Sequence, residues 1–464
     1  MSRERLYLYD TTLRDGAQTQ GVDFSLEDKW VIAEQLDQLG IDYIEAGYPG
    51  ANPTDTKIFA EPRPLRASAL TAFGMTKRPG RSLSNDPGFQ ALFAAECKTV
   101  CLVGKTWDFH VDVALGITQE ENREGIKESV EALVAKGRDV LLDCEHFFDG
   151  YKANPDYALS CAKTAYDAGA RWVVLCDTNG GTLPYEIEAI VGEVVKQIPG
   201  DRLGIHAHND TDNGVANSLA AVRAGVRQIQ GTLNGLGERC GNANLTSIIP
   251  TLMLKSDYAD RFETGVTADK LRTLTHASRV LDEVLNRAPN RHAPYVGESA
   301  FAHKGGIHVS AVQKDPRTYE HVPPEAVGNR RRMLVSDQAG RSNILGELDR
   351  IGIAVPKDDP RISRLLDEVK QRESYGYAYE AADASFELLA RRMLGNVPQF
   401  FDVDSFRVMV ERRHNALGGL VTISEATVKV RIDGQMVMSV GEGNGPVNAL
   451  DNALRKDLGP YQAF

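Results

Sequence analysis

The chain has 464 residues, 42% of them apolar and 25% charged, and a formal net charge of −11 at pH 7. That length exceeds one ordinary domain, and the acidic balance argues against a surface built for nucleic acid while leaving room for a local basic pocket. No apolar run reaches the roughly 18 residues of a membrane span, and the start "MSRERLYLYDTT" has no signal-peptide core. The six scattered cysteines lack CxxC spacing and read as reduced, buried thiols of a cytoplasmic protein.

From residue 5 to about 255 one pattern repeats: a short β-branched run ending in polar residues, then an amphipathic helix. Strands are expected at 5–10, 41–47, 67–74, 98–104, 138–145, 171–177, 202–208 and 227–235. Helix 25–40 has Ser25 as N-cap, Asp28 three residues on and Gly40 at its end, and 212–225 follows the same grammar. Eight such units in about 250 residues predict an α/β fold, a (β/α)8 TIM barrel. An open doubly wound sheet is the alternative, but "DTTLRDG" after the first strand is no GxGxxG. Residues 265–395 read as mainly helical with polar, Gly-rich interruptions, and 402–464 as a β-meander followed by a helix. The expected organisation is a catalytic barrel at 1–260, a mainly helical linker region at 261–396 and a partial α+β domain at 397–464.

Functional residues of such barrels lie at the C-terminal ends of the strands. Those ends carry Asp10, Arg14, Asp15, Glu45, Lys105, Asp108, His110, Glu145, His146, Asp177, Thr178, Asn179, His206, His208, Asn209, Asp210, Asn234, Glu238, Arg239 and Asn242, while the N-terminal ends show no such concentration. In "GIHAHNDTDNG" His206 and His208 share one face of a strand, so both imidazoles can reach a single ion. Asp15 is the best carboxylate to complete the set, though a lone HxH can equally be a hydrogen-bonded pair at the barrel mouth. Arg14 could stabilise a developing oxyanion beside a metal, or merely bridge to Asp15 or Glu45. "NGLGERCGNANL" (234–245) reads as a Gly-rich loop with Asn242 opening a helix, or as a long turn. His303, His308 and Tyr319 have no context of their own and read as surface residues. "NRRRML" (329–334) is a solvated basic face, or a partner for phosphates or an acidic surface.

These motifs together resemble the metal-dependent acyl-CoA condensing enzymes of the DRE-TIM metallolyase superfamily, through "DTTLRDG" (10–16), "HAHNDTDNGVANSLAAVRAG" (206–225), "GTLNGLGERCGNANL" (231–245) and "FAHKGGIHVSAV" (301–312). The resemblance covers essentially the whole chain and implies a divalent metal (Mn, Mg, Zn or Co) on Asp15, His206 and His208, with Asn242 as a further ligand. It implies that Arg14 holds a 2-oxo acid and steadies the oxyanion, that Glu145 and Thr178 contact that substrate, and that His308 is catalytic with Tyr319 as its partner. It further implies acetyl-CoA as co-substrate, a Claisen-type condensation, and a homodimer in which the His308 region enters the neighbouring barrel mouth. "GKTWDFHV", "DCEHFFDGYKANPDYAL" and "ESYGYAYEAADASFELL" look most like the citramalate synthase branch, which uses pyruvate, and Ala17 stands where a glutamate is frequent. The 2-isopropylmalate synthase branch and a carbon–carbon lyase on the same barrel are the alternatives. The tail resembles one of the family's two βββα regulatory halves, so feedback by isoleucine is expected to be weak or missing.

Overall fold

The computed structural model describes residues 3–335, 338–380, 382–395 and 397–458. The chain divides into two compact units, Met1–His303 with Ala311–Arg332, and Lys304–Ser310 with Met333–Phe464.

The first unit is built on a closed barrel of eight strands. They are β1 (Tyr7–Asp10), β2 (Tyr43–Gly47), β3 (Ala69–Met75), β4 (Thr99–Lys105), β5 (Asp139–Glu145), β6 (Trp172–Asp177), β7 (Leu203–Ala207) and β8 (Gln228–Gly231). All pairings are parallel, and closure comes from Tyr7 to Asp10 of β1 lying against Gln228 to Gly231 of β8. The eighth strand is shorter than expected: 233–235 forms a 3-10 turn, with Asn234 at φ +57°, because the chain must swing out of the sheet into the following loop. Each strand is followed by its helix: α1 (Leu26–Leu39), α2 (Pro53–Ala60), α3 (Pro87–Ala94), α4 (Gln119–Ala135), α5 (Pro155–Asp167), α6 (Pro184–Val194), α7 (Gly214–Ala224) and α8 (Leu245–Leu254). The α1 start is a full capping box, Ser25 Oγ accepting from Asp28 N–H at 3.2 Å and Asp28 Oδ2 from Ser25 N–H at 2.9 Å, and Gly40 ends the helix at φ +95°.

Period-2 alternation divides the core into two layers. Leu8, Val100, Leu142, Val173, Leu175, Ile205 and Ile229 belong to the large cluster shared with the helices. Tyr9, Cys101, Leu141, Trp172, Val174 and Cys176 form a separate cluster that fills the barrel. Polar side chains at the same strand positions, including Glu45, Asp143, His206 and Gln230, are therefore aimed into the lumen, where they must find partners in one another. Five cysteines are buried or partly buried, but Cys240, on the loop after β8, is exposed, contrary to the sequence expectation.

In the second unit, helices α9 (Arg341–Arg350), α10 (Pro360–Ser374) and α11 (Asp383–Met393) close on Ile344, Leu348, Ile362, Leu365, Val369, Phe386 and Leu389. An antiparallel sheet of β9 (Asp402–His414), β10 (Leu420–Ile432) and β11 (Gln435–Gly443) is covered by α12 (Pro446–Arg455) through Ala426, Val428, Val430, Ala449 and Ala453. A Cβ at Gly441 would stand 2.4 Å from the Ala453 amide nitrogen, so this approach requires glycine. The expected final residues of this module, 459–464, lie outside the described residues.

Candidate active site

The "DTTLRDG" segment leaves β1 in a tight turn. Thr11 O accepts from the amides of Arg14, Asp15 and Gly16, and Asp10 Oδ1 accepts from Thr12 N–H at 2.8 Å. The turn delivers Asp15 into the barrel mouth, 3% exposed, where its Oδ2 lies 3.2 Å from His206 Nε2. His206 and His208, on the lumen face of β7 and just beyond it, are 5% and 6% exposed, with ring centroids 5.2 Å apart. One ligand atom from each of Asp15, His206 and His208 lies within 4.8 Å of the others.

Asn242 joins this cluster by a route the sequence did not suggest. It does not open a helix; α8 begins at Leu245, capped by Asn244, whose Oδ1 accepts from Thr246 N–H at 2.9 Å. Instead Asn242 forms an isolated antiparallel bridge with His208, which sets its amide against Asp15 Oδ2 at 2.7 Å and His206 Nε2 at 3.3 Å.

The donor set suits a divalent cation. Among the described residues, Asn242 Oδ1 and His208 Nδ1 are buried without a hydrogen-bond partner, a costly arrangement at a site with nothing to bind. A half-turn of the Asn242 amide would exchange nitrogen for oxygen toward the cluster. Burial pushes the Asp15 carboxyl up, but the Arg14 charge and the His206 hydrogen bond outweigh it and hold Asp15 well below the usual carboxylate range. Burial opposes the His206 charge, yet the hydrogen bond and charge of Asp15 raise this imidazole to about 9. Burial and the charge of His206 lower His208 to about 4, so it is a neutral donor. A carboxylate, two imidazoles and an amide oxygen form a mixed N/O set that several divalent ions accept.

Arg14 stands beside this cluster. Its Nε donates to Glu45 Oε1 at 2.6 Å, its Nη1 lies 3.7 Å from Asp15 Oδ1, and its guanidinium sits 3.9 Å over the Phe73 ring. The bridges to Asp15 and Glu45 that the sequence left open thus exist, and they aim the guanidinium rather than consume it, since most of its donors stay available. Glu45 is itself held by the Tyr9 hydroxyl at 2.6 Å. Glu145, at the end of β5, pairs with Lys105, and both line a cavity of about 330 Å³ with Met75, Lys77, Arg78 and Val103. Thr178 Oγ1 accepts from His146 N–H at 2.8 Å, and the Thr178 carbonyl accepts from Arg239 Nη2 at 2.8 Å.

His308 is exposed on the helix Gly306–Lys314, within the segment assigned to the second unit. Tyr319 follows the 3-10 turn Pro316–Thr318 and is 47% exposed. His303 is buried, with Nε2 3.1 Å from Glu320 Oε1, so it is a partnered core residue and not a surface one. In "NRRRML", Arg331 pairs with Glu320 and Arg332 with Glu298, which leaves only Arg330 to the solvated-face reading. Sequence reasoning overlooked Asp143 and Gln230, although both stand at strand positions whose period aims them at the lumen.

Residues 5–277 match the HMGL-like family model, 295–375 the homocitrate synthase post-HMGL domain-like model, and 380–462 the LeuA allosteric (dimerisation) domain. An (R)-citramalate synthase of Aquifex aeolicus is 50% identical over 98% of this chain and 85% of that one. A probable 2-isopropylmalate synthase of Methanopyrus kandleri is 34% identical over 98% of this chain and 86% of that one. Among solved structures, an HMG-CoA lyase of Bacillus subtilis matches with TM-score 0.52 at 18% identity, covering 62% of this chain and 97% of that one, a likeness of fold alone.

Proposed function

The chain belongs to the HMGL-like family, and we propose that its barrel mouth condenses acetyl-CoA with pyruvate, giving (R)-citramalate and CoA. The observation that carries this reading is the 50% identity to an (R)-citramalate synthase along nearly the whole chain, against 34% to a probable 2-isopropylmalate synthase. The buried Asp15, His206, His208 and Asn242 cluster beside Arg14 supports the chemistry.

In this reading Asp15, His206, His208 and Asn242 hold a divalent ion (Mn, Mg, Zn or Co), which supplies Lewis-acid polarisation of the 2-oxo group. Arg14, aimed by Glu45, offsets the negative charge that develops on the ketone oxygen as the new bond forms. Glu145 and Thr178, on neighbouring strand ends, contact the oxo acid. His308, with Tyr319, removes a proton from the acetyl-CoA methyl group. The resulting carbanion adds to C2 of pyruvate, the alkoxide takes a proton, and water then cleaves the thioester to release CoA.

Exposure of His308 and Tyr319 suits their delivery into a second copy's barrel. The match of 380–462 to a dimerisation domain, and exposed Phe406, Val410, Met436 and Met438 on its sheet, support a homodimer. The functional division proposed is 1–260 for catalysis, 261–396 for the linker with His308 and 397–464 for regulation. No described helix is long and apolar enough to cross a membrane, and the unpaired cysteines support a cytoplasmic location.

CoA release followed with a thiol reagent tests the function. It is expected to require both pyruvate and a divalent ion. In a panel of four 2-oxo acids, faster turnover of 2-oxoisovalerate than of pyruvate would overturn the citramalate reading in favour of 2-isopropylmalate synthesis.

A further inference from the structure

Behind His206, on the side away from Asp15, the lumen holds a hydrogen-bonded chain that the reaction above does not use. His206 Nδ1 lies 2.8 Å from Gln230 Oε1, and Gln230 Nε2 donates to Asp143 Oδ1 at 2.9 Å. His206 and Gln230 are register partners on adjacent strands β7 and β8, whereas Asp143 comes from β5, so the second bond crosses the barrel interior. Gln230 is fully buried, and Asp143 and His206 are 4% and 5% exposed.

We propose that Gln230 and Asp143 are positioning residues that set the tautomer and ring orientation of His206 toward the metal cluster. The chemistry of the groups dictates the direction of every bond. The Asp143 carboxylate only accepts, so the Gln230 amide must turn its NH2 toward it. That leaves Oε1, also only an acceptor, facing His206, so the proton sits on Nδ1. The lone pair of the neutral imidazole is thereby confined to Nε2, the nitrogen that faces Asp15 and Asn242. A histidine whose far nitrogen donates to an oriented acceptor is a better-aimed and more basic ligand. Gln228 supplies an internal contrast. It is the preceding lumen-facing residue of the same strand, equally buried, yet both of its amide atoms lack a partner among the described residues. Simple satisfaction of a buried amide therefore does not explain why Gln230 alone is ordered by a carboxylate from across the barrel.

The inference rests on the reading that His206 is a metal ligand, and the test separates the two. Mn2+ is titrated calorimetrically into metal-free wild type, Asp143→Asn, Gln230→Met and Gln228→Met, and thermal melting checks that each variant is folded. Asp143→Asn keeps its volume but frees the Gln230 amide to flip. It and Gln230→Met are expected to bind Mn2+ about 10–100-fold more weakly. Gln228→Met is expected to bind like wild type. The double variant Gln230→Glu with Asp143→Asn rebuilds the chain with its polarity moved, since a glutamate there accepts from both His206 Nδ1 and the new amide, and it is expected to restore binding. Wild-type affinity in both Asp143→Asn and Gln230→Met, or failure of the double variant to rescue, would overturn the relay while leaving the metal site intact. Absence of Mn2+ binding by wild type would overturn the metal reading and the relay with it. Should Gln230→Met not fold, the isosteric Asp143→Asn and its rescue still decide.

Discussion

Two pairs of histidines separate the regions of this molecule. His206 and His208, two residues apart at a strand end, converge on one point beneath the surface with Asp15 and Asn242. His303 and His308, five residues apart across a Gly-Gly break, diverge: one is buried against Glu320 and the other is exposed on the next helix. A strand imposes period 2, so residues i and i+2 share a face whatever surrounds them, and parallel strands of a closed barrel bring all such faces to one lumen. A loop running into a helix imposes no such convergence. A group placed there acts only where tertiary or quaternary structure carries it.

Disarming the converging cluster is expected to have the largest effect. Asp15→Asn removes the one carboxylate, and turnover is expected to fall by about 10³-fold or more, with loss of Mn2+ binding in the same calorimetric titration. His308→Ala should lower turnover by about 10²-fold, within the usual range for a lost general base, yet leave Mn2+ affinity unchanged. Mixed, unfolded together and refolded, the Asp15→Asn and His308→Ala chains should regain activity that neither has alone, if each barrel takes its histidine from a second copy. Continued inactivity of the mixture would place His308 with its own barrel.

Smaller effects are expected from protonation at the cluster and from the His303 contact. His206 is raised to about 9 without metal, chiefly against the cost of burial by its bond to Asp15, so it carries a proton at neutral pH. Metal binding must displace that proton. Calorimetry in buffers of different ionisation heat should show close to one proton released at pH 7, and apparent affinity should climb with pH and level off near 9. His303→Ala leaves the buried Glu320 carboxylate, among the described residues, with Arg331 as its remaining side-chain partner, and should cost about 1–3 kcal/mol in chemical denaturation while turnover stays at the wild-type level.

Much of the site was legible because local rules act there. Ser25 with Asp28 marks a helix start, the β-branched runs mark strands, and the residues just past each run mark the mouth. Asp15 could be paired with His206 from nearly two hundred residues away because barrel closure makes β1 a neighbour of β8. The family resemblance alone implied a ligand role for Asn242, while its own residue pattern suggested a helix start; the bridge to His208 that places it was not foreseeable, since one isolated pairing has no periodicity to betray it. Cys240 resembled the other cysteines until the β8 loop carried it outward.

By itself, then, the amino-acid order determined the eightfold βα repeat, the end of the barrel that bears chemistry and the two imidazoles that share a face, because those follow from periodicities of two and 3.6 residues and from short-range caps. Tertiary structure alone decided which lumen groups meet. Asp143 reaches Gln230 across the barrel and Glu45 meets Arg14 from the adjacent strand, because each contact depends on strand register and lumen width, which no local pattern encodes.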